Sequence, residues 1–479
     1  MNARQRFREG GVEGTVYMDE LLYLGVFLLY TIAILILGKH GFDKTDDLSE
    51  YFLAGRGLGL FSSVTSFCAT WFSAASILGL PGLIYDGGVS VIWTTAVAWV
   101  LGMAGLFVIS SKLYAYDVMT VPEFFRVRYD SKVLQVWIGV VLVFSYLLYV
   151  VIQIRGFGIV ISQMLGVPYS VSVCLIYIFV LYTTFGGLHS VARTDAFHFF
   201  LILIGTMLGA FLIVEASGEI PLEAIQTESR SSSEGLSIWL FISAFFTLGL
   251  GVAANPQYAV RILSAKSRRT ARNMMLFSLV FIVIIYVSIL IIGLGSRALD
   301  GGLVFLTTDE VYPYVITYLL DTPWKGVLLI SIVAACVSTA NSQLLLMAGS
   351  SIYDISLPLR KTKLPNDRVV TWTRWMVFLF ATSSLVIAFT PPEGIVPFSG
   401  HIWGMITVSL FFPLYGGLFT KVPKPNALRS TFGGVAAYIV AFWLIPATWQ
   451  DVYHPVLPSL LIAGLLFFWT GGKRHASFH

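Results

Sequence analysis

Long apolar runs separated by short polar connections make up nearly the whole chain. A hydrocarbon core is crossed by about 20 apolar residues in helical conformation. Thirteen runs fit that need, near 20–38, 60–83, 88–111, 134–163, 169–185, 191–215, 237–257, 272–295, 325–353, 370–390, 396–419, 430–447 and 454–470. The pattern predicts an all-α membrane protein, because only helices satisfy the backbone inside such a segment. The first run is too long, and too poor in small residues at its end, to read as a removable signal peptide.

One run carries a polar patch in its middle and two are interrupted by small and polar residues. Residues 331–344 read Ser-Ile-Val-Ala-Ala-Cys-Val-Ser-Thr-Ala-Asn-Ser-Gln-Leu. Hydrocarbon offers no partner to Ser338, Thr339, Asn341, Ser342 or Gln343, so these groups must face protein, water or an ion. Uncharged oxygens crowded on one buried face suit a small hard cation. The second run carries Cys68 to Ser76 and then Gly79, Pro81 and Gly82; the seventh carries Thr247, Gly249, Gly251 and Ala253-Ala254-Asn255-Pro256-Gln257. Broken helices in corresponding positions, five runs apart, point to an inverted-repeat transporter with its site near the midplane. The plainer reading, that small residues only permit close helix packing, explains one such run better than a spaced pair plus the 338–343 patch.

Composition agrees. Of 479 residues 57% are hydrophobic and 12% charged, and mean hydropathy is +0.81, too little charge to cover a soluble domain of this length. Cys68, Cys174 and Cys336 all lie inside apolar runs and read as packing residues. The placement of Lys and Arg says more than the net charge. Odd-numbered connections carry them (Lys39, Lys44, Arg56; Lys112, Arg126, Arg128, Lys132; Arg193; Arg261 to Arg272; Arg360 to Arg368; Lys421 to Arg429), as does the C-terminus (Lys473, Arg474). Even-numbered ones carry few or none, only Arg230 in the sixth and Arg297 and Lys325 in the eighth. The positive-inside rule then places odd connections and the C-terminus in the cytoplasm and the N-terminus outside. Arg4, Arg6 and Arg8 run against this, offset by Glu9, Glu13, Asp19 and Glu20.

Six segments in order resemble the sodium:solute symporter family: Tyr51–Arg56, Ala69–Gly79, Thr120–Phe125, Tyr182–Gly187 with Thr194-Asp195, Gln257 to Lys266, and Val337–Leu345. The resemblance implies a leucine-transporter type of fold, a 5+5 inverted repeat with one extra N-terminal and two extra C-terminal helices. On that plan residues 1–59 hold the outer N-terminus, the extra helix and the first cytoplasmic loop. Residues 60–236 and 237–420 are the two repeats, and 421–479 the accessory helices with the cytoplasmic C-terminus. It also implies a main sodium site from the carbonyls of Ala69, Phe72 and Ala335 and the hydroxyls of Ser338 and Thr339. The last three, at i, i+3 and i+4, share a helix face. Some members have a second sodium site, whose positions fall here on Asp195, Ser338, Asn341 and Ser342, with Asn341 replacing the usual hydroxyl. One or two Na+ are therefore expected. The other reading of Asp195 is an acid near the membrane surface, or a helix-start acid beside Thr194.

Candidates for the solute site are Trp71, Ser73, Ser76, Trp93, Tyr149, Gln153, Arg155, Asn255 and His401. Arg155, costly inside a membrane, either meets a substrate carboxylate, forms a gate ion pair or snorkels to the outer surface. The arginine by which sialic acid carriers hold a carboxylate corresponds to Tyr149, and the Glu-Gln pair of sugar carriers to Ala75-Ser76, so both solutes are disfavoured. The expectation is Na+-coupled uptake of a small carboxylate, amino acid or pantothenate-like acid across the cell membrane, with no obligate protein partner. A solute-sensing module and a proton-coupled carrier, titrating Asp195 or His401, are the alternatives. There is no nucleotide-binding loop, metal cluster or nucleophile–base pair to suggest an enzyme, and the short basic connections give no nucleic-acid surface.

Overall fold

The computed structural model describes residues 13–39, 48–218, 238–299, 307–362, 364–392, 394–450 and 452–469. Arg4 to Glu9, Lys44, Arg230, Lys363, Lys473 and Arg474 lie outside the described residues. Among the described residues the regular elements are helices, as the apolar runs require. The long rods are α1 (Glu13–Lys39), α2 (Leu60–Trp71), α3 (Ala75–Gly87), α4 (Ser90–Tyr114), α5 (Lys132–Leu165), α6 (Tyr169–Phe185), α7 (Gly187–Ser217), α8 (Ile238–Ser264), α9 (Arg268–Leu299), α10 (Lys325–Leu359), α11 (Asn366–Ala388), α12 (Ile395–Phe419), α13 (Lys424–Leu444) and α14 (Val456–Phe468).

Among the described residues ten helices are individually long and apolar enough to cross a membrane, and α2 with α3, bent by 58°, makes an eleventh candidate. The apolar stretches of α6 and α14 are shorter, so length alone does not establish thirteen crossings. Contacts do tie the two ends of α6 to well-separated points of α11, Ala388 and Arg374. The Tyr169 hydroxyl donates to the Ala388 carbonyl, whereas the Thr184 carbonyl accepts from Tyr51 and that of Phe185 from Arg374.

The odd connections meet at one end of the bundle. Arg56 pairs with Asp117 at 2.7 Å, Lys266 N donates to the Leu58 carbonyl at 2.9 Å, and Arg128 donates to the carbonyls of Gly417 and Thr420, each at 2.6 Å. Even connections meet elsewhere, as Asp309, before α10, accepts from Ile395 N at the start of α12. The alternation read from charge is thus matched by spatial sorting of the connections.

Two helices break where the sequence loses helix-forming continuity. α2 stops because Phe72 is extended (φ −87°, ψ 120°), and α8 is interrupted at Asn255 (φ −78°, ψ 120°), where Pro256 has no N–H to continue the ladder. A break inside a bundle frees backbone groups that need partners. Around α2–α3 the Ser76 hydroxyl takes Ser73 N (2.8 Å) and the side-chain Oε1 of Gln153 takes Ala74 N (2.9 Å). In α8 the Asn255 side chain takes Gln257 N at 3.0 Å. α10 is the central rod, its most apolar 18-residue window 94% buried, so its polar patch faces protein on every side.

Candidate functional site

The break at Phe72 faces the middle of α10. Ser338 Oγ donates to the Ala69 carbonyl at 2.9 Å and to the Ala335 carbonyl at 3.1 Å, and Thr339 Oγ1 donates to the Phe72 carbonyl at 3.2 Å. The five oxygens singled out in the sequence therefore lie together, between residues that are all fully buried. None is charged. Gln257 ties the third helix to this junction: its amide donates to the Thr70 carbonyl (2.8 Å) and hydroxyl (2.9 Å), and its own oxygen accepts from Gln343 at 2.7 Å. Both glutamines steady the broken helix, a role that their sequence positions alone did not indicate.

Asp195 is also fully buried. Its Oδ2 accepts from Ser66 Oγ at 2.6 Å and pairs with Arg261 Nη2 at 3.3 Å. The same guanidinium nitrogen donates to Ser342 Oγ at 2.5 Å. A permanent cation thus stands between two members of the expected second sodium site. Ser338 belongs instead to the junction with Ala69. Both amide atoms of Asn341 are buried without a hydrogen-bond partner.

Next to the junction is a small cavity walled by Trp71, Trp99, Tyr149, Tyr258, Tyr286 and Trp403, with Ser73 and Ser76 completing it. Trp71, Ser73, Ser76 and Tyr149 were expected there. Trp99, Tyr258, Tyr286 and Trp403 were not: they come from four different helices and carry no local motif. The other candidates lie elsewhere. Trp93 is 52% exposed on the outside of α4 and does not line this cavity. Gln153 is committed to Ala74 N, and Asn255 Oδ1 accepts from Tyr146 at 2.7 Å as well as from Gln257 N. His401 bonds Tyr438 at 3.2 Å and stacks on His454, lining a separate apolar groove between α5, α12 and α13. Cys174, expected to pack inside, is exposed on α6.

Arg155 also points away from the cavity. It pairs with Asp309 at 3.0 Å and donates to the Pro392 carbonyl. Burial pushes the Asp309 carboxyl up and Arg155 offsets part of that. The segment bearing Asp309 rests on α3 so closely that a Cβ at Gly82 would meet the Thr308 carbonyl oxygen. These contacts link α5 to the connections before α10 and α12, and Arg155 does not line the cavity.

Residues 51–434 match the sodium:solute symporter family. The chain belongs to that family. The symporter is 26% identical over 465 residues to the sodium/proline symporters of Staphylococcus aureus strains JH9 and N315, an alignment covering 92% of this chain and 90% of each relative. Its fold is similar to that of a Na+-coupled sialic acid symporter in a substrate-bound outward-open state, with a TM-score of 0.78 at 16% identity over 95% of this chain and 99% of that one. It is also similar to a nucleobase-cation-symport-1 family transporter in a closed conformation with bromovinylhydantoin bound, with a TM-score of 0.58 at 14% identity over 87% and 92% of the two chains. The fold is of the leucine-transporter type, and the protein is a membrane-embedded, Na+-coupled symporter, not an enzyme.

Proposed function

We propose that the symporter binds one Na+ at the α2–α10 junction and carries a small amino-acid-type solute with it into the cytoplasm. The observation that carries this reading is the approach of Ser338 and Thr339 to the carbonyls of Ala69 and Phe72, across two helices. Each hydroxyl hydrogen now rests on a carbonyl that would share the ion; on binding, the hydroxyls rotate and present lone pairs instead. Neutral oxygens hold Na+ weakly enough to let it go on the side where it is scarce. The relatives named for proline support an amino-acid-type solute over a sugar, and the Arg261–Asp195 pair favours one ion over two. The clustering of basic connections supports an outer N-terminus, thirteen crossings and a cytoplasmic C-terminus, with the repeats at 60–236 and 237–420. The cavity beside the junction holds the solute, and rocking of the broken helices opens it to either side in turn.

The test uses purified protein in detergent with radiosodium as probe and K+ as the replacing cation. Saturable Na+ binding that Thr339→Ala weakens supports the site; binding unaffected by Thr339→Ala and Ser338→Ala together removes it.

A further inference from the structure

The cavity has an unusual wall for a site of this size. Trp71 lies 5.2 Å from Tyr258, ring centre to ring centre; Trp403 lies 5.8 Å from Tyr149 and 6.2 Å from Trp99; and Trp99 stacks on Tyr286 at 6.0 Å. The room left between these rings is about 10 Å³, space for about one water molecule, so a solute is seated here only when the rings part. Among the described residues no Asp, Glu, Lys, Arg or His lines the cavity. The nearest sequence candidate for a cationic ligand, Arg155, is held by Asp309 and Pro392, and Arg261 is held by Asp195, Ser66 and Ser342.

The polar groups that do line the cavity are mostly committed. Ser76 Oγ accepts from Ser73 N and donates to the Ser73 carbonyl; Ser73 Oγ accepts from Ala75 N and bonds the Tyr149 hydroxyl; Trp71 Nε1 donates to the Tyr286 hydroxyl at 2.9 Å. The indole N–H groups of Trp99 and Trp403 are both buried without an acceptor among the described residues. A primary ammonium would bring three N–H donors to a wall with few free acceptors and no countercharge, which is costly when buried. An ammonium whose hydrogens are replaced by alkyl groups needs no acceptor, and the faces of Trp and Tyr attract its charge. A net anion would lack a protein countercharge, whereas a zwitterion is neutral overall and offers its carboxylate to a free indole N–H.

We propose that the cavity selects a small zwitterion with an alkylated ammonium, of the trimethylglycine class, its nitrogen seated on the aromatic faces and its carboxylate on the Trp99 side. This rests on the symport reading above and names its solute class. The test is uptake of radiolabelled trimethylglycine into proteoliposomes of the full chain under an inward Na+ gradient, with competition by tert-butylacetate. That anion has the same shape with carbon in place of nitrogen. Trimethylglycine should accumulate only with Na+, and tert-butylacetate should compete about tenfold or more less well, since several desolvated cation–π contacts exceed one decade in affinity. Trp403→Phe should keep most of the apparent affinity and Trp403→Leu should lose about tenfold, with radiosodium binding reporting that each variant is folded. Equal competition by tert-butylacetate, or Na+-driven uptake of glycine or L-proline without trimethylglycine, overturns the proposal and leaves symport standing. Failure of radiosodium to bind the unaltered protein overturns the symport reading and this proposal with it.

Discussion

Arg155 and Asp309 form an ion pair at 3.0 Å, both side chains almost wholly buried. The pair joins α5 to the segment before α10, and through Pro392 and Ile395 N it reaches the start of α12. Removing one partner leaves a buried charge unpaired, at a cost of about 3–5 kcal/mol, and the easiest relief is for the segment to lift into water. Asp309→Asn should therefore shift the population towards an opening at this end. The check is thiol labelling at Val396→Cys, placed under the segment beside Gly79, in a Cys174→Ser background. The labelling rate should rise about tenfold or more with Asp309→Asn, as a shift of 1.4 kcal/mol gives a decade. An unchanged rate would show that the pair holds nothing shut.

Thr339→Ala removes one of five oxygens and leaves the other four in place. Loss of a buried ligand hydroxyl should raise the apparent Kd for Na+ by about tenfold to a hundredfold, from the about 1–3 kcal/mol that an unsatisfied buried polar group costs. Thr339→Ser, which keeps the oxygen, should restore most of it. Radiosodium titration separates the two variants, and equal affinities for them would rule Thr339 out as a ligand.

How far the sequence exposes this machinery depends on how local each signal is. Ala335, Ser338 and Thr339 are one turn apart, so a single helix face announces them, and the broken partner is announced by Gly79, Pro81 and Gly82. The alternating charge of the connections, likewise local, matches how they cluster in space. The cavity wall has no such signature. Trp99, Tyr258, Tyr286 and Trp403 are aromatic residues in apolar helices, where aromatic residues are ordinary, and only tertiary convergence makes them a wall. Arg155 was legible as costly, but its partner sits in a distant connection. Asp195 was legible as a candidate second-site acid or a helix-start acid, whereas its pairing with Arg261 required the fold.

That pairing makes a further prediction. Asp195→Asn leaves the Arg261 guanidinium, 1% exposed, without its countercharge, which should destabilise the protein by about 3–5 kcal/mol. Replacing both together, Asp195→Leu with Arg261→Met, should recover much of that loss, because no buried charge remains. Thermal unfolding in detergent measures the stability and radiosodium titration the site. With a single ion at Ala69 and Ser338, Na+ affinity in the double variant stays within a few-fold of the unaltered protein. A loss of one of two bound Na+ would instead assign Asp195 to a second site.

His454 gives the bundle a pH dependence at the α12–α13–α14 contact. Its ring stacks 4.7 Å from that of His401, and its Nδ1 accepts from Val456 N at 3.2 Å, which requires that nitrogen to be unprotonated. Burial, reinforced by the neighbouring His401, holds the imidazole down at about 3. A histidine depressed in the folded state contributes stability above its unfolded value of about 6.5, and that contribution is lost as pH falls below it. Going from neutral pH to about pH 5, some 1.5 units below the reference, should cost about 2 kcal/mol. His454→Gln retains an oxygen able to accept the Val456 N–H but cannot titrate. Its thermal midpoint in detergent should therefore fall less on acidification than that of the unaltered protein. If both fall equally, the acid sensitivity belongs to other groups and the His401–His454 stack is only packing.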